Sequence, residues 1–320
     1  MDKLEKQRKS TYIYTYTCTP DEVELCNLEQ RALFGDEPQN SLLESTIHID
    51  PSRSPFITGR LDVIYEGSSL PQLVEQVSQL SLGGHSFKVA VHKKSANTSG
   101  PVRFEQRREI EREVGLAIRG RAEFIHPERV YGVMIIGERW IFGEHHSNES
   151  MWFKHMHKPQ AYSTALSTRV ARAVVNIAVP RIEGVRAIDP CCGIGTVLVE
   201  ALSMGIDIVG RDINPLVTRG ARENIAHFGF VCEVTLGAIQ NIEESYDVAI
   251  IDLPYNLLTM VSPENLLTML ESAASFAQRV VVITIEPIDP VIERAGLVII
   301  DRGLAKKGLF ARQIIVCERH

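Results

Sequence analysis

From about residue 184 onward, short apolar runs alternate with helical segments, and this alternation constrains the fold of the 320-residue chain more than any other feature. Strands are predicted at 184–189, 206–212, 231–236, 246–252 and 279–285. Helices fall between them at about 196–204, 214–228 and 262–277. Strands joined by crossover helices lie parallel, and the product is a doubly wound α/β sheet. In such sheets ligands bind outside the carboxyl ends of the strands. Two further runs, 296–301 and 311–318, flank Lys306-Lys307-Gly308 with no helix between them, which predicts an antiparallel hairpin at the sheet edge.

The ends of these strands carry the chemistry. The first ends Ala187-Ile188-Asp189 and continues Pro190-Cys191-Cys192-Gly193-Ile194-Gly195-Thr196. Such a glycine turn lets the backbone approach a ligand closely where a helix begins. A dinucleotide fingerprint would place a third glycine at 198, where this chain has Leu198, so the nicotinamide reading is weakened. The second strand ends Gly210-Arg211-Asp212, 23 residues after Asp189, where a carboxylate can accept both ribose hydroxyls. Each feature alone also fits a tight strand–helix turn or a helix cap. On successive strand ends they point to a nucleoside. The fourth strand delivers Asp252, followed by Leu253-Pro254-Tyr255-Asn256, to the same edge. Pro254 removes a donor and leaves neighbouring carbonyls as acceptors. Tyr255 offers a flat face to a planar substrate. The plainer alternative is a strand-end turn with a core tyrosine.

The set DPCCGIGT…GRD…DLPY resembles the class I S-adenosylmethionine-dependent methyltransferases, and among them the amino-methyltransferases with an (Asp/Asn)-Pro-Pro-(Tyr/Phe) motif. More narrowly it is similar to the THUMP-containing tRNA guanine-N2-methyltransferases, the Trm-eleven and Trm-N group. The family stretch DPxCGxGTxxxEA is matched by Asp189, Pro190, Cys192, Gly193, Gly195, Thr196, Glu200 and Ala201. Asp212, Asn214 and Pro215 match its acid and Asn-Pro after the second strand, and Asp252, Pro254 and Tyr255 match its D-x-P-Y. Leu253 departs from the commoner proline, Asn256 from the usual glycine, and Ala238 stands where an acid often contacts adenine. The resemblance implies catalytic roles for Asp252, Pro254 and Tyr255. It implies cofactor contacts from Asp189, Pro190, Cys191, Gly193, Gly195, Thr196, Asp212, Ile213 and Ala238, with S-adenosylmethionine as cofactor and no metal.

An exocyclic base amine is a poor nucleophile, because its lone pair is delocalised into the ring. A carboxylate such as Asp252 and the carbonyl of Leu253 or Pro254 can accept its two N–H groups and orient it for attack. Asp252, or water beside it, can then take the released proton. Tyr255 would stack on a base rotated out of its helix. The expected reaction is methylation of guanine N2 in tRNA. Adenine N6 in RNA or DNA, a protein glutamine amide, or a vestigial domain that only binds RNA are the alternatives.

Residues 1–150 read as a mixed α+β region, resembling in its order of elements a THUMP-like RNA-binding domain. Residues 151–180 read as linker and connecting helix (160–178), and 181–320 as the methyltransferase domain. The net charge of −6, from 34 Lys+Arg and 40 Asp+Glu, excludes a wholly basic nucleic-acid binder. A basic segment at 86–121 nevertheless holds Lys88, Lys93, Lys94, Arg103, Arg107, Arg108, Arg112, Arg119 and Arg121 against Glu105, Glu109, Glu111 and Glu113, or 9 − 4 = +5. It suits phosphate contacts to structured RNA, or a solvated helix with i,i+3 pairs Glu105–Arg108 and Glu109–Arg112. Lys306 and Lys307 face RNA or merely solubilise a turn.

Six cysteines without zinc spacing read as reduced thiols. With no apolar run of membrane length and no leader-like start, the expectation is a cytoplasmic protein. His145, His146, His155 and His157 cluster in sequence, and the preferred reading is a polar linker with Trp152 and Phe153 as anchors. Arg169 and Arg172 frame the cofactor mouth or form the solvent face of the connecting helix.

Overall fold

The computed structural model describes residues 10–38, 41–92, 96–97, 100–162, 164–253, 262–308 and 310–320. The chain forms two compact units. The first comprises 1–16, 39–51 and 57–148; the second comprises 17–38, 52–56 and 149–320. The chain therefore crosses between units more than once, and helix α1 (Val23–Phe34) belongs to the second unit. That helix ends at Gly35, whose positive φ of 75° lets its N–H close on the Arg31 carbonyl at 2.8 Å.

In the first unit the strands are β1 (Tyr12–Tyr16), β2 (Leu42–Ser45), β3 (Ile57–Gly67), β4 (Phe87–Val91), β5 (Ala96–Asn97), β6 (Gly100–Pro101), β7 (Arg129–Gly137) and β8 (Arg139–Ser147). Among the described residues they form a sheet in the order β2-β1-β3-β8-β7-β5-β6, with β4 paired to β7. The Gly137-Glu138 turn joins β7 and β8 as an antiparallel hairpin. Helices α2 (Leu70–Val77) and α3 (Phe104–Ala117) supply Leu73, Val77, Ile110 and Val114 to a core with Phe87, Val89, Tyr131 and Phe142. The apolar spacing of α3 thus buries one face and leaves its basic residues on the other.

In the second unit α4 (Met151–Lys154) and α5 (Thr168–Ala178) precede β9 (Arg186–Asp189), α6 (Thr196–Ser203), β10 (Asp207–Asp212), α7 (Pro215–His227) and β11 (Val234–Leu236). There follow β12 (Tyr246–Asp252), α8 (Pro263–Phe276), β13 (Ala277–Thr284), α9 (Asp289–Arg294), β14 (Leu297–Lys307) and β15 (Phe310–Arg319). The sheet order is β11-β10-β9-β12-β13-β15-β14. Pairs from β11 to β13 are parallel, whereas β15 runs antiparallel to both β13 and β14. This is the doubly wound sheet with an edge hairpin that the alternation predicts. Helix starts are written locally: Asn214 caps α7 ahead of Pro215, and Ser262 caps α8 ahead of Pro263. The order reverses between β9 and β12, so the carboxyl ends of these two strands open a crevice at the switch point.

The connecting helix differs from the expectation of 160–178. It begins at Thr168, because the Ser167 hydroxyl accepts the Val170 N–H at 3.3 Å and caps it. Arg172 is neither at a mouth nor on a solvent face. It is 2% exposed, and its guanidinium bonds the Glu200 carboxylate at 2.7 Å and the Ser52 and Arg53 carbonyls. Arg169 pairs with Glu22 and lies over the rings of Phe56 and Trp152. The histidines separate: His145 and His146 lie on β8 of the first unit, and His155 and His157 lie in the second. His155 is buried against Glu200, Nδ1 to Oε1, at 2.8 Å. All six cysteines are free thiols. Among the described residues no helix is long and apolar enough to cross a membrane.

Candidate active site

The glycine turn is built by backbone conformation. Gly193 and Gly195 have φ of +52° and +77°, a region costly for side chains with a Cβ. A Cβ on Gly195 would also come within 3.1 Å of the Ala221 side chain. The Gly193 N–H donates to Asp212 Oδ2 at 2.9 Å, and the Asn214 N–H to Asp212 Oδ1 at 2.9 Å. One carboxylate therefore ties the end of β10 to the turn after β9. Asp189 is buried and accepts the Cys191 N–H at 3.2 Å.

A pocket of about 180 Å³ lies over these strand ends. Asp189, Cys192, Gly193, Ile194, Thr196 and Val197 line one side, and Asp252 and Leu253 line another. The carboxylate of residue 252 and the glycine turn thus share one cavity. Tyr162, Thr164, Ala165 and Leu166 close a third side. Reading 160–178 as one helix concealed them; the density of Ser and Thr before Arg169 was the available cue to a loop and cap. Pro190, Cys191 and Gly195 are outside the lining, as are Asp212, Ile213 and Ala238 on the side of β10 and β11. Ile213 is 73% exposed there, and the Ala238 carbonyl accepts the Arg211 Nε–H at 3.0 Å. Pro254, Tyr255 and Asn256 lie outside the described residues.

Burial dominates the electrostatics. It pushes the Asp189 carboxyl well above the usual range, offset by the Cys191 N–H and reinforced by Asp252 and Asp212. Burial also pushes the Asp252 carboxyl up to about 7, with the positive Arg312 guanidinium opposing it. Among the described residues Asp252 Oδ1 is buried without a hydrogen-bond partner. A buried acceptor left unmet is costly unless a ligand supplies the donor. The cavity therefore offers carboxylates for positive or N–H-bearing groups and a small-residue turn for close backbone approach. A nucleoside with a cationic sulfonium fits that donor set. Burial raises the Cys191 and Cys192 thiols above their usual range, so neither is a thiolate nucleophile at neutral pH.

The basic segment is on the first unit. Arg103, Arg108 and Arg112 are exposed, and Arg107 is half-buried. Arg107 and Arg108 lie over the exposed Phe104 ring at 5.8 and 5.7 Å. The ion pair that forms is Arg108–Glu111 at 3.3 Å; the expected Glu105–Arg108 and Glu109–Arg112 pairs are absent among the described residues. The Lys88 ammonium donates to the Phe124 carbonyl at 3.3 Å. Lys93 and Lys94 lie outside the described residues. In the second unit Lys306 pairs with Glu24 at 2.6 Å.

A family model described as UPF0020, RMKL-like, methyltransferase domain matches residues 156–284. The tRNA (guanine(10)-N2)-dimethyltransferase of Methanothermobacter thermautotrophicus is 26% identical over 209 residues, which is 61% of this chain and 59% of that protein. The enzyme of the same name from Pyrococcus abyssi is 33% identical over 90 residues, 28% of this chain and 26% of its own length. The matches span less than two thirds of either relative. The solved structure of SMU.472 complexed with SAH aligns with a TM-score of 0.50 at 14% identity, covering 97% of this chain and 98% of that one. The chain contains an S-adenosylmethionine-dependent methyltransferase fold, distantly related to the UPF0020-like proteins.

Proposed function

We propose that the second unit binds S-adenosylmethionine in the pocket between the glycine turn and Asp252, and that the protein methylates an exocyclic amine of an RNA base, guanine N2 of a tRNA. The observation that carries this reading is that Asp252 Oδ1, buried and without a hydrogen-bond partner among the described residues, lies in the same cavity as Gly193 and Thr196. The bound cofactor supplies an electrophilic methyl group on its sulfonium. Asp252 accepts an N–H of the incoming amine, which orients its lone pair and stabilises the positive charge that develops. The Leu253 carbonyl, next along the chain, is a second acceptor of the kind the amine needs. Asp189 offers a buried carboxyl beside the turn as an acceptor, and Asp212 faces the ribose side. The tRNA names of the two relatives support the choice of substrate. In the same reading the first unit is a THUMP-like RNA-binding domain, Pro254 and Tyr255 hold the flipped base, and the protein works in the cytoplasm.

Transfer of labelled methyl to bulk tRNA, followed by nucleoside mass spectrometry, tests the substrate. The expected product is N2-methylguanosine or its dimethyl form. Label found only in adenosine, DNA or protein would overturn the guanine assignment.

Arg107→Glu/Arg108→Glu is expected to weaken tRNA binding and to flatten its dependence on salt by about 1–2 in the log–log slope, one counterion per lost phosphate contact. An unchanged slope, read by fluorescence anisotropy across salt concentrations, would assign α3 a purely solvated face.

A further inference from the structure

The cofactor proposed above carries two positive centres, a sulfonium and an ammonium, and one carboxylate. Among the described residues the pocket lining contributes two carboxylates, Asp189 and Asp252, and no cation. The carboxylate of the cofactor's amino-acid tail therefore needs a positive partner from just behind the lining. Lys158 is placed for this. Its half-buried ammonium donates to the Thr196 hydroxyl oxygen at 2.6 Å, and Thr196 lines the pocket. An ammonium has three donors. Among the described residues Thr196 Oγ1 is the hydrogen-bond partner of Lys158, and Lys158 takes part in no ion pair. Burial disfavours its charge, and the Glu200 carboxylate sustains it. Because Thr196 Oγ1 accepts from Lys158, its own proton is free to donate elsewhere. Arg312 is engaged differently: its guanidinium donates to the Thr164 carbonyl at 3.1 Å and lies over the Phe310 ring at 4.8 Å.

We propose that Lys158, with the Thr196 hydroxyl, holds the carboxylate of the cofactor's amino-acid tail. This rests on the S-adenosylmethionine reading and adds the residues that recognise the tail. It is tested by calorimetry with two probes: S-adenosylhomocysteine, and 5′-methylthioadenosine, which keeps the nucleoside thioether but lacks the amino-acid chain. Lys158→Met is expected to weaken S-adenosylhomocysteine by about 10- to 100-fold, the range for a charge-assisted hydrogen bond, and to leave methylthioadenosine within about 2-fold. Lys158→Arg is expected to recover most of the loss. Equal losses for both probes would make Lys158 a merely structural residue, and unchanged S-adenosylhomocysteine binding would also overturn the proposal. Wild-type protein that bound neither probe would instead remove the cofactor reading on which it stands.

Discussion

Asp252→Ala is expected to lower the rate of methyl transfer by about 100- to 1,000-fold, the usual cost of removing one preorganised group that stabilises developing charge. S-adenosylhomocysteine binding should change by no more than about 3-fold, because the glycine turn, Asp189 and Asp212 stay in place. The acid limb of the wild-type rate profile should fall near pH 7. Burial holds the Asp252 carboxyl up at about 7, and the protonated form no longer accepts an N–H with full strength. Stability has the opposite sign. A carboxyl raised in the fold binds its proton more tightly than in the unfolded chain, so stability falls as pH rises from about 4 through about 7. Asp252→Asn should therefore raise the unfolding midpoint at pH 8 and leave it nearly unchanged at pH 4. A variant that is inactive yet more stable at alkaline pH marks a buried charge kept for function. An unchanged rate, or a loss of stability at pH 8, would contradict the role given to Asp252.

The largest effect on stability should come from Arg172→Met. Arg172 and Glu200 are 2% and 0% exposed, and the guanidinium also serves the Ser203 hydroxyl and the Ser52 and Arg53 carbonyls. Removing it leaves the Glu200 carboxylate to His155 and takes one donor from each of the Ser52 and Arg53 carbonyls, of which the Arg53 carbonyl keeps the Asn176 amide at 2.9 Å. Breaking a buried pair from one side costs about 3–5 kcal/mol, because the surviving charge has no solvent to receive it. Urea unfolding should show that loss, and Arg172→Met/Glu200→Gln should recover part of it. A loss below about 1 kcal/mol, the scale of an exposed pair, would mean that the network is not a structural tie.

The legible part of this molecule is the part written in short-range pattern. Apolar runs and intervening helices gave the parallel strands, and the missing helix between β14 and β15 gave the edge hairpin. The convergence of Asp189, Gly193, Thr196 and Asp252 followed from their common position at strand ends. Long-range contacts were not legible. Nothing local to Arg172 says that it is buried, because its partners at Ser52, Arg53 and Glu200 are distant in sequence. The crossing of α1 into the second unit is likewise decided by which apolar surface it covers, and its amphipathic spacing alone does not reveal that. The wall of the pocket from Tyr162 to Leu166 was missed for a local reason: an apolar-periodic helix pattern was extended past its cap at Ser167. Helix α9, only Asp289–Arg294, is too short to show a period.

The central claim is that one pocket joins the glycine turn after β9 to the carboxylate at the end of β12 and holds a methyl donor between them. A crystal structure of the protein soaked with S-adenosylhomocysteine tests this most directly. Density for the ligand is predicted with its ribose toward Asp212, its thioether facing Asp252 and its amino-acid tail beside Thr196. A ligand bound elsewhere, or a thioether turned away from Asp252, would contradict it.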